Sequence, residues 1–367
     1  MTNTGKKLEL KFFGVAFMYA GAVMGAGFAS GRELWQFFGV FGNFGFLGVM
    51  LATVLFILMG FLAARIARIL NVNDIAALLV PAKSRLLNGF VANFMAAMLF
   101  LAFVTLTAAG GAIFYQQFGL SRILGGAIVA SLVIATVIGG FDRVARVSRF
   151  FVPVLMVSVS SVSIALLIQN GGITPAETTF RASPLASRWY LAAILYLAYN
   201  LLVIIPIVAT ASIRAKSDKH AYAGSVLGSC ILGAMAFLMF SVMITDMSFS
   251  NDMDMPMLAF SQRLSPLANT LYLCAIAFAI YISATINYYG FTIKVIKGAH
   301  RKTKIIAAAL VGFALSLVGF SEIIAYVFPV IGYFGILIML MLVVNYIKIA
   351  GKNKRAEMGK QPCGEVK

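Results

Sequence analysis

Residues 19–33 read Tyr19-Ala20-Gly21-Ala22-Val23-Met24-Gly25-Ala26-Gly27-Phe28-Ala29-Ser30-Gly31-Arg32-Glu33. Four glycines fall within eleven residues of this otherwise apolar stretch, and each weakens an α-helix by about 1 kcal/mol relative to alanine. A break near Gly25–Gly27 would leave carbonyl groups at the end of one half-helix, where they suit a cation, and free N–H groups at the start of the next, where they suit a carboxylate. The alternative is that the glycines allow close helix packing, and the stretch alone supports both equally.

The composition around this stretch is that of a membrane protein. Hydrophobic residues make up 61% of the 367 residues and charged residues only 11%, whereas a soluble protein has about a quarter of its residues charged. The net charge of +17 does not indicate nucleic-acid binding, because the basic residues lie in short clusters between apolar runs. The three cysteines and two histidines form neither a disulfide framework nor a zinc motif.

Ten apolar runs are long enough to span a bilayer, which takes about 20 residues. They cover 12–38, 44–64, 89–117, 121–140, 149–168, 189–211, 221–245, 267–293, 305–320 and 324–347. We therefore predict a cytoplasmic N-terminus at 1–11, a first five-helix repeat at 12–168 and an extracellular loop at 169–188. A second five-helix repeat at 189–347 and a basic cytoplasmic tail at 348–367 follow, and disorder is expected from Ile349 onwards.

The positions of basic residues predict the orientation. With ten spans, most of the 29 Lys and Arg residues lie on the same side of the membrane as the N-terminus. The exceptions are Arg32, Arg122, Arg181, Arg188 and Arg263. Cytoplasmic loops are enriched in these residues, so both termini are predicted to be cytoplasmic. The first run could also be a cleaved signal peptide, but Gly25, Gly27 and Gly31 make better sense in a retained, broken helix.

The sixth run carries a second helix-breaking signal. Pro206 removes a backbone donor and clashes with the carbonyl group of Leu202, and Tyr199 and Asn200 lie midway through the run. Interruptions at corresponding positions of two inverted repeats indicate a midplane binding site in a secondary transporter. The alternative is a simple proline kink, and only the pairing with the first run favours the functional interpretation.

Two further features are candidates for chemistry. The eighth run contains Ser283, Thr285 and Asn287, whose oxygens suit a hard cation such as sodium, although serine and threonine can also bond to their own helix. Glu33 follows the proposed break closely, and ionisable groups at membrane depth are often functional. It could relay a proton, lock a gate with a basic partner, bind an ammonium group, or be an exposed charge at a helix end.

The segment from Gly25 to Glu33, together with the ten-span layout, resembles the YkvI-like bacterial membrane proteins of the amino acid–polyamine–organocation (APC) superfamily. The resemblance implies an all-α integral membrane protein with the LeuT-type fold, a 5+5 inverted repeat with broken helices 1 and 6. It implies a substrate site made of Gly25, Ala26, Gly27, Phe28, Tyr199 and Asn200. A sodium ion would lie near Gly21, Met24, Ser283 and Thr285. Phe28 stands where sodium-coupled neurotransmitter-type relatives have asparagine, which argues against a second sodium site of that kind.

The expected function is cation-coupled uptake of an amino acid or similar small zwitterion by alternating access, with Glu33 in gating or proton relay and with sodium or protons as the coupling ion. The expected location is the bacterial cytoplasmic (inner) membrane. The partners are then a small solute, a coupling cation and lipid, without nucleic acid, and no cofactor is expected besides a sodium ion. The alternative is a ligand-sensing receptor subunit without net transport, similar to germinant-receptor subunits. A channel fits less well because no ring of charges is visible, and no enzyme motif is present.

Overall fold

The computed structural model describes residues 9–72, 78–79, 85–139, 142–172, 180 and 182–358. Parts of the predicted N-terminal segment (1–8), outer loop (173–179 and 181) and tail (359–367) lie outside the described residues. Numbered in chain order, the helices are α1 (Phe12–Val23), α2 (Ala26–Ala29), α3 (Arg32–Phe37), α4 (Phe44–Leu70), α5 (Arg85–Phe118), α6 (Arg122–Gly139), α7 (Asp142–Gln169), α8 (Trp189–Ile213), α9 (Asp218–Met243), α10 (Met247–Asp252), α11 (Pro256–Leu264), α12 (Pro266–Val295), α13 (Arg301–Ser316), α14 (Phe320–Glu322) and α15 (Phe328–Met358). A π-helical turn at Ile323–Val327 joins α14 to α15.

The lengths and the exposed apolar surfaces of the helices are those of a membrane protein. Seven helices in the described part of the chain are long and apolar enough to cross a membrane, and α1 and the segment Pro153–Gln169 of α7 are shorter apolar helices. Large apolar side chains such as Val157, Ile168 and Leu267 are more than half exposed, as expected of a surface that faces lipid. The chain is therefore a multi-pass membrane protein. A helix lies at each of the ten predicted spans, while the number of crossings stays a prediction.

Two groups of helices flank the middle of the molecule. α1, α4, α8 and α9 pack on one another in the first group, α5, α6, α12 and α13 in the second, and α7 contacts both. In the first group α9 approaches α1 closely, since a Cβ at Gly228 would lie 2.7 Å from the carbonyl oxygen of Ala16. Close packing through small residues therefore occurs here and not at Gly25, where an added Cβ would meet only the carbonyl oxygen of Val23 at 4.0 Å.

The first span is broken, as the sequence predicted. α1 ends at Val23, the next two residues leave the helical conformation, and α2 begins at Ala26. The N–H of Gly25 donates to the carbonyl oxygen of Val23 at 2.7 Å instead of to that of Gly21. The backbone turns again before α3 at Gly31, whose φ of 81° lies in the left-handed region that glycine adopts without strain.

The sixth span is one continuous helix, α8, so the prediction that it is broken is wrong. Pro206 lies inside the helix and removes only one donor, the one that would bond to the carbonyl group of Leu202. The Thr210 hydroxyl donates to the carbonyl oxygen of Pro206 at 2.8 Å. α8 contains no glycine and packs against both α4 and α15. A single lost hydrogen bond therefore does not interrupt it.

The last helix runs further than predicted. α15 continues to Met358, whereas the tenth span was predicted to end at 347. The extension is rich in Lys, Ala, Arg and Glu, which are good helix formers. The expectation of disorder from Ile349 onwards is therefore wrong as far as Met358.

Candidate functional site

A cavity of about 180 Å³ lies at the break in the first span. Its walls come from the break, from the middle of α5, α8 and α12, and from the start of α15. The lining residues are Gly21, Ala22, Val23, Met24, Gly25, Ala26, Gly27, Glu33, Met98, Leu101, Ala102, Thr105, Leu106, Tyr199, Asn200, Leu202, Val203, Ser283, Asn287, Phe328 and Ile331. Since a single water needs only about 10–15 Å³ of such space, the cavity has room for a small organic solute.

Nine of the eleven residues predicted to bind substrate, bind the ion or relay protons line this cavity. They are Gly21, Met24, Gly25, Ala26, Gly27, Glu33, Tyr199, Asn200 and Ser283. The structure thus brings together residues from three separate helical spans, and the roles assigned to them stay predictions.

The other two predicted residues do not line the cavity. Phe28 is fully buried in a separate small pocket with Phe38 and Phe56. Thr285 is fully buried and its hydroxyl donates to the carbonyl oxygen of Tyr281 at 2.8 Å. Neither residue is therefore placed to bind a solute directly in this cavity.

Asn287 belongs to the polar patch that the sequence indicated but was not assigned to the substrate or ion site, although it lines the cavity beside Ser283. The two residues are four positions apart on α12 and share one helix face, whereas Thr285, two positions from each, points elsewhere. The amide of Asn287 donates to the carbonyl oxygen of Ser283 at 2.8 Å. Helical spacing within the polar patch is the signal that could have found Asn287.

Peptide groups at the break lack their helical partners. Among the described residues, the carbonyl groups of Gly21 and Ala22 accept no backbone hydrogen bond, and the N–H groups of Ala26, Gly27 and Phe28 donate none. Free peptide groups at membrane depth are tolerated where they line a cavity that water or a ligand fills. The carbonyl oxygens can coordinate a cation, and the N–H groups can donate hydrogen bonds to a carboxylate.

Glu33 supplies the only carboxylate among the lining residues. It is 7% exposed, so the interpretation as an exposed charge at a helix end is wrong. Its Oε2 accepts a hydrogen bond from the hydroxyl of Tyr199. Its Oε1 lies against Gly27, where an added Cβ would overlap the carboxylate. A glycine at position 27 is therefore what lets the Glu33 side chain lie along the break.

No basic side chain pairs with the Glu33 carboxylate in the part of the chain that the structure describes. The neighbouring Arg32 points instead at the segment 247–264, which comprises α10, α11 and the turn between them and is here called the lid. Its Nη1 donates to the carbonyl oxygens of Asn251 at 2.8 Å and Met253 at 3.1 Å. No described residue is therefore the basic partner with which Glu33 would lock a gate, and the gating role stays a prediction. A buried carboxylate without a partner is costly, so the site favours an incoming positive charge.

Ser283 is the predicted ion ligand that remains free. Its hydroxyl makes no hydrogen bond with the described residues, and it lines the cavity together with Gly21 and Met24. Hard cations prefer oxygen ligands, which here are a hydroxyl group and the carbonyl groups at the end of α1. Thr105 also lines the cavity, but its hydroxyl donates to the carbonyl oxygen of Leu101 at 2.9 Å.

The lid is bonded to the broken span. The N–H of Met257 donates to the carbonyl oxygen of Ser30 at 2.9 Å. Beside this contact, the Tyr272 hydroxyl of α12 donates to the carbonyl oxygen of Ala29 at 2.5 Å. The segment on the α3 side of the break is thus held from two directions.

The lid is also bonded to the second group of helices. The Gln116 side chain of α5 forms two hydrogen bonds with the backbone of Met255, at 2.9 and 3.0 Å. Asp254 forms an ion pair with Arg122 at 2.8 Å and accepts from the Ser321 hydroxyl at 2.6 Å. These bonds close the lid end of the molecule.

The cavity extends from the break away from the lid. Ser283 and Asn287 lie about 16 and 22 Å along α12 from Tyr272, at about 1.5 Å per residue. The cavity therefore lies on the side of the break that faces the end of the molecule where α1 begins and where Leu10 bridges to Ala215.

Comparison with known sequences extends the resemblance over most of the chain. No protein-family model matches. The chain is similar to the uncharacterized membrane protein YkvI of Bacillus subtilis (strain 168), with 26% identity over 324 residues, which cover 87% of this chain and 91% of YkvI. It is also similar to the uncharacterized protein YyaD of the same organism, with 21% identity over 330 residues, 88% of this chain and 93% of YyaD.

Comparison with solved structures identifies the fold. The chain superposes on MhsT in complex with L-phenylalanine with a TM-score of 0.58 and 17% identity, covering 94% of this chain and 89% of MhsT. The inward-facing conformation of Mhp1 gives a TM-score of 0.55 at 14% identity, covering 93% of this chain and 79% of Mhp1. The chain has the LeuT-type fold. A mutant of the Eremococcus coleocola manganese transporter gives a TM-score of 0.54 at 14% identity, covering 90% of this chain and 76% of the transporter. All three likenesses concern the fold alone.

Proposed function

We propose that the chain is a secondary active transporter of the APC superfamily that takes up an amino acid or similar small zwitterion together with sodium or protons. The observation that carries the proposal is the cavity at the break, where peptide groups without helical partners meet a buried carboxylate. A break of this kind at membrane depth is the feature that secondary transporters use for binding. The likeness to YkvI and to transporters of the LeuT-type fold supports the same proposal.

In this proposal the carboxylate of the solute and the coupling sodium ion bind on opposite sides of the break. The N–H groups of Ala26 and Gly27, which donate no backbone hydrogen bond among the described residues, donate to the carboxylate of the solute. A coupling sodium ion is held by the carbonyl groups of Gly21 and Met24 and by the Ser283 hydroxyl. If protons drive transport instead, Glu33 is the group in the cavity that can carry them.

The two ends of the molecule then act as the two gates of alternating access. The lid end is closed by the bonds of Gln116, Asp254 and Met257 to their partners, and the cavity lies on the side of the break that faces the opposite end. We place the protein in the bacterial cytoplasmic membrane with both termini in the cytoplasm. The structure is then the inward-facing state, and uptake requires the lid to release α3 while α1 closes on α7 and α12.

Flux into liposomes that contain only this chain tests the proposal. We expect uptake of at least one radiolabelled amino acid, driven by an inward sodium or proton gradient and abolished when that gradient is collapsed. Binding of amino acids without any flux would instead favour the ligand-sensing receptor. Flux that continues without a gradient and does not saturate would indicate a channel.

A further inference from the structure

The cavity has an unbalanced charge. Its lining contains one carboxylate, Glu33, and no Lys, Arg or His. The other polar lining residues are the neutral Thr105, Tyr199, Asn200, Ser283 and Asn287. A buried carboxylate is stable when a positive group lies beside it, and among the described residues no side chain supplies that group.

The nearby positive charges are committed elsewhere. The Arg32 guanidinium is held by the lid carbonyl groups of Asn251 and Met253, and Arg122 is paired with Asp254 at 2.8 Å. Neither residue lines the cavity. In this conformation no described side chain balances the charge of Glu33, so the carboxyl group either binds a proton or pairs with a positive group that enters with a ligand.

The surroundings of Glu33 suit an organic ammonium group better than a bare metal ion. Tyr199, whose hydroxyl bonds to the carboxylate, packs against Phe328 with ring centroids 4.9 Å apart, and both rings line the cavity. Aromatic rings attract ammonium groups through their faces. A sodium ion would need several oxygen ligands, and the free carbonyl groups of Gly21 and Ala22 lie at the end of α1, on the other side of the break from Glu33 in the sequence.

We propose that Glu33 is the counter-ion of the amino group of the transported solute. The inference rests on the proposed function and names its substrate class: a small solute with a protonated amine, a mainly apolar body and no net negative charge. The amine is then the required recognition element. The carboxylate of a zwitterion adds contacts with the free N–H groups but is dispensable for binding.

The test is binding of two matched series to the purified full-length protein, measured by thermal shift and by calorimetry. One series is n-butylamine, n-pentylamine and 3-methylbutylamine; the other is butanoate, pentanoate and 3-methylbutanoate, so each pair has the same number of carbons. We expect at least one amine to bind and raise the melting temperature, at least about tenfold more tightly than any of the carboxylates. Equal binding of the two series, tighter binding of the carboxylates, or no binding of any amine would overturn the proposal.

Variants assign the effect to Glu33. In Glu33→Gln we expect amine binding to weaken at least about tenfold, while Glu322→Gln, an exposed glutamate outside the cavity, binds as the parent does. Tyr199→Phe keeps the carboxylate but removes its hydrogen-bond donor, and we expect a loss of about threefold to tenfold. This variant tests the site if Glu33→Gln does not fold. A Glu33→Gln protein with unchanged amine binding but without proton-driven uptake would overturn the proposal and make Glu33 a proton carrier.

Failure of this inference is distinct from failure of the proposed function. Amine binding that depends on Glu33, without flux of any amino acid into liposomes, would contradict transport and leave the ammonium site intact. Gradient-driven flux of carboxylates that lack an amine would contradict the ammonium site and leave transport intact.

Discussion

The first and sixth spans occupy corresponding places in the two repeats, but only the first is interrupted. The first span, with four glycines from Gly21 to Gly31, stops being helical after Val23 and resumes at Ala26. The sixth contains Pro206 but no glycine and continues as one helix. A proline removes one backbone donor, whereas a glycine cluster removes the conformational preference of a whole turn. Spacing of glycines therefore predicted a real break, and a lone proline did not.

The largest expected effect comes from filling the break. In Gly27→Leu the new side chain would occupy the place of the Glu33 carboxylate, and we expect uptake to fall about a hundredfold or more, equivalent to about 2.8 kcal/mol. The matched control is Gly25→Ala, since space is open there, and it should retain uptake within about threefold. Uptake is measured in liposomes, after confirming that both variants insert into membranes. Normal uptake by Gly27→Leu would remove the functional role of the break.

The next effect concerns the hydroxyl groups of α12. Ser283→Ala removes a free hydroxyl from the cavity, and we expect the apparent affinity for sodium to fall about tenfold if sodium is the coupling ion. Thr285→Val is the control, because its hydroxyl is bonded to Tyr281 and lies away from the cavity, so the sodium dependence of uptake should be unchanged. Equal losses in both variants would argue that α12 contributes structure and not ion binding.

The sequence predicted the elements better than it predicted their contacts. Apolar runs located the helices, because the length of a span is fixed by the bilayer, and the glycine cluster located the break. Phe28 was misplaced because a four-residue helix turns each side chain by about 100°, so neighbours of Gly27 need not face the same space. Thr285 was included because composition, and not helical spacing, defined the polar patch.

The lid could not be predicted at all. Its bonds join residues far apart in the sequence, such as Gln116 to Met255 and Arg122 to Asp254, and no periodicity reports such pairs. The segment was visible only as a polar stretch between two apolar runs. The sequence also could not predict that the Glu33 carboxylate lacks a basic partner among the described residues. Arg32 is its neighbour in the sequence, and only the structure shows that Arg32 bonds to the lid.

A moderate effect is expected from releasing the lid. Gln116→Leu removes two hydrogen bonds to the backbone of Met255 and leaves those two backbone groups unsatisfied. We expect a loss of about 1–3 kcal/mol from the closed state of this end, seen as faster thiol labelling of a cysteine introduced at Ala26 of the break from the lid side. Gln117→Leu is the matched comparison: it removes one exposed side-chain hydrogen bond to Gln262 of the lid and leaves no backbone group unsatisfied, so labelling should rise much less than in Gln116→Leu. Identical labelling of the two variants would show that this pair does not hold the lid.

The smallest effect is expected at the proline of the sixth span. Pro206→Ala restores the backbone donor to Leu202 in a helix that is already continuous, so uptake should stay within about threefold of the parent. The added hydrogen bond stabilises the folded protein by about 1 kcal/mol, and the greater freedom of the unfolded chain offsets part of this gain. The thermal stability should therefore rise slightly or stay the same. Loss of transport comparable to that of Gly27→Leu would mean that the carbonyl group of Leu202, a residue that lines the cavity, must stay free to bind. The two repeats would then share one principle after all, a peptide group released at the midplane, achieved in one by a gap in the helix and in the other by a single missing donor.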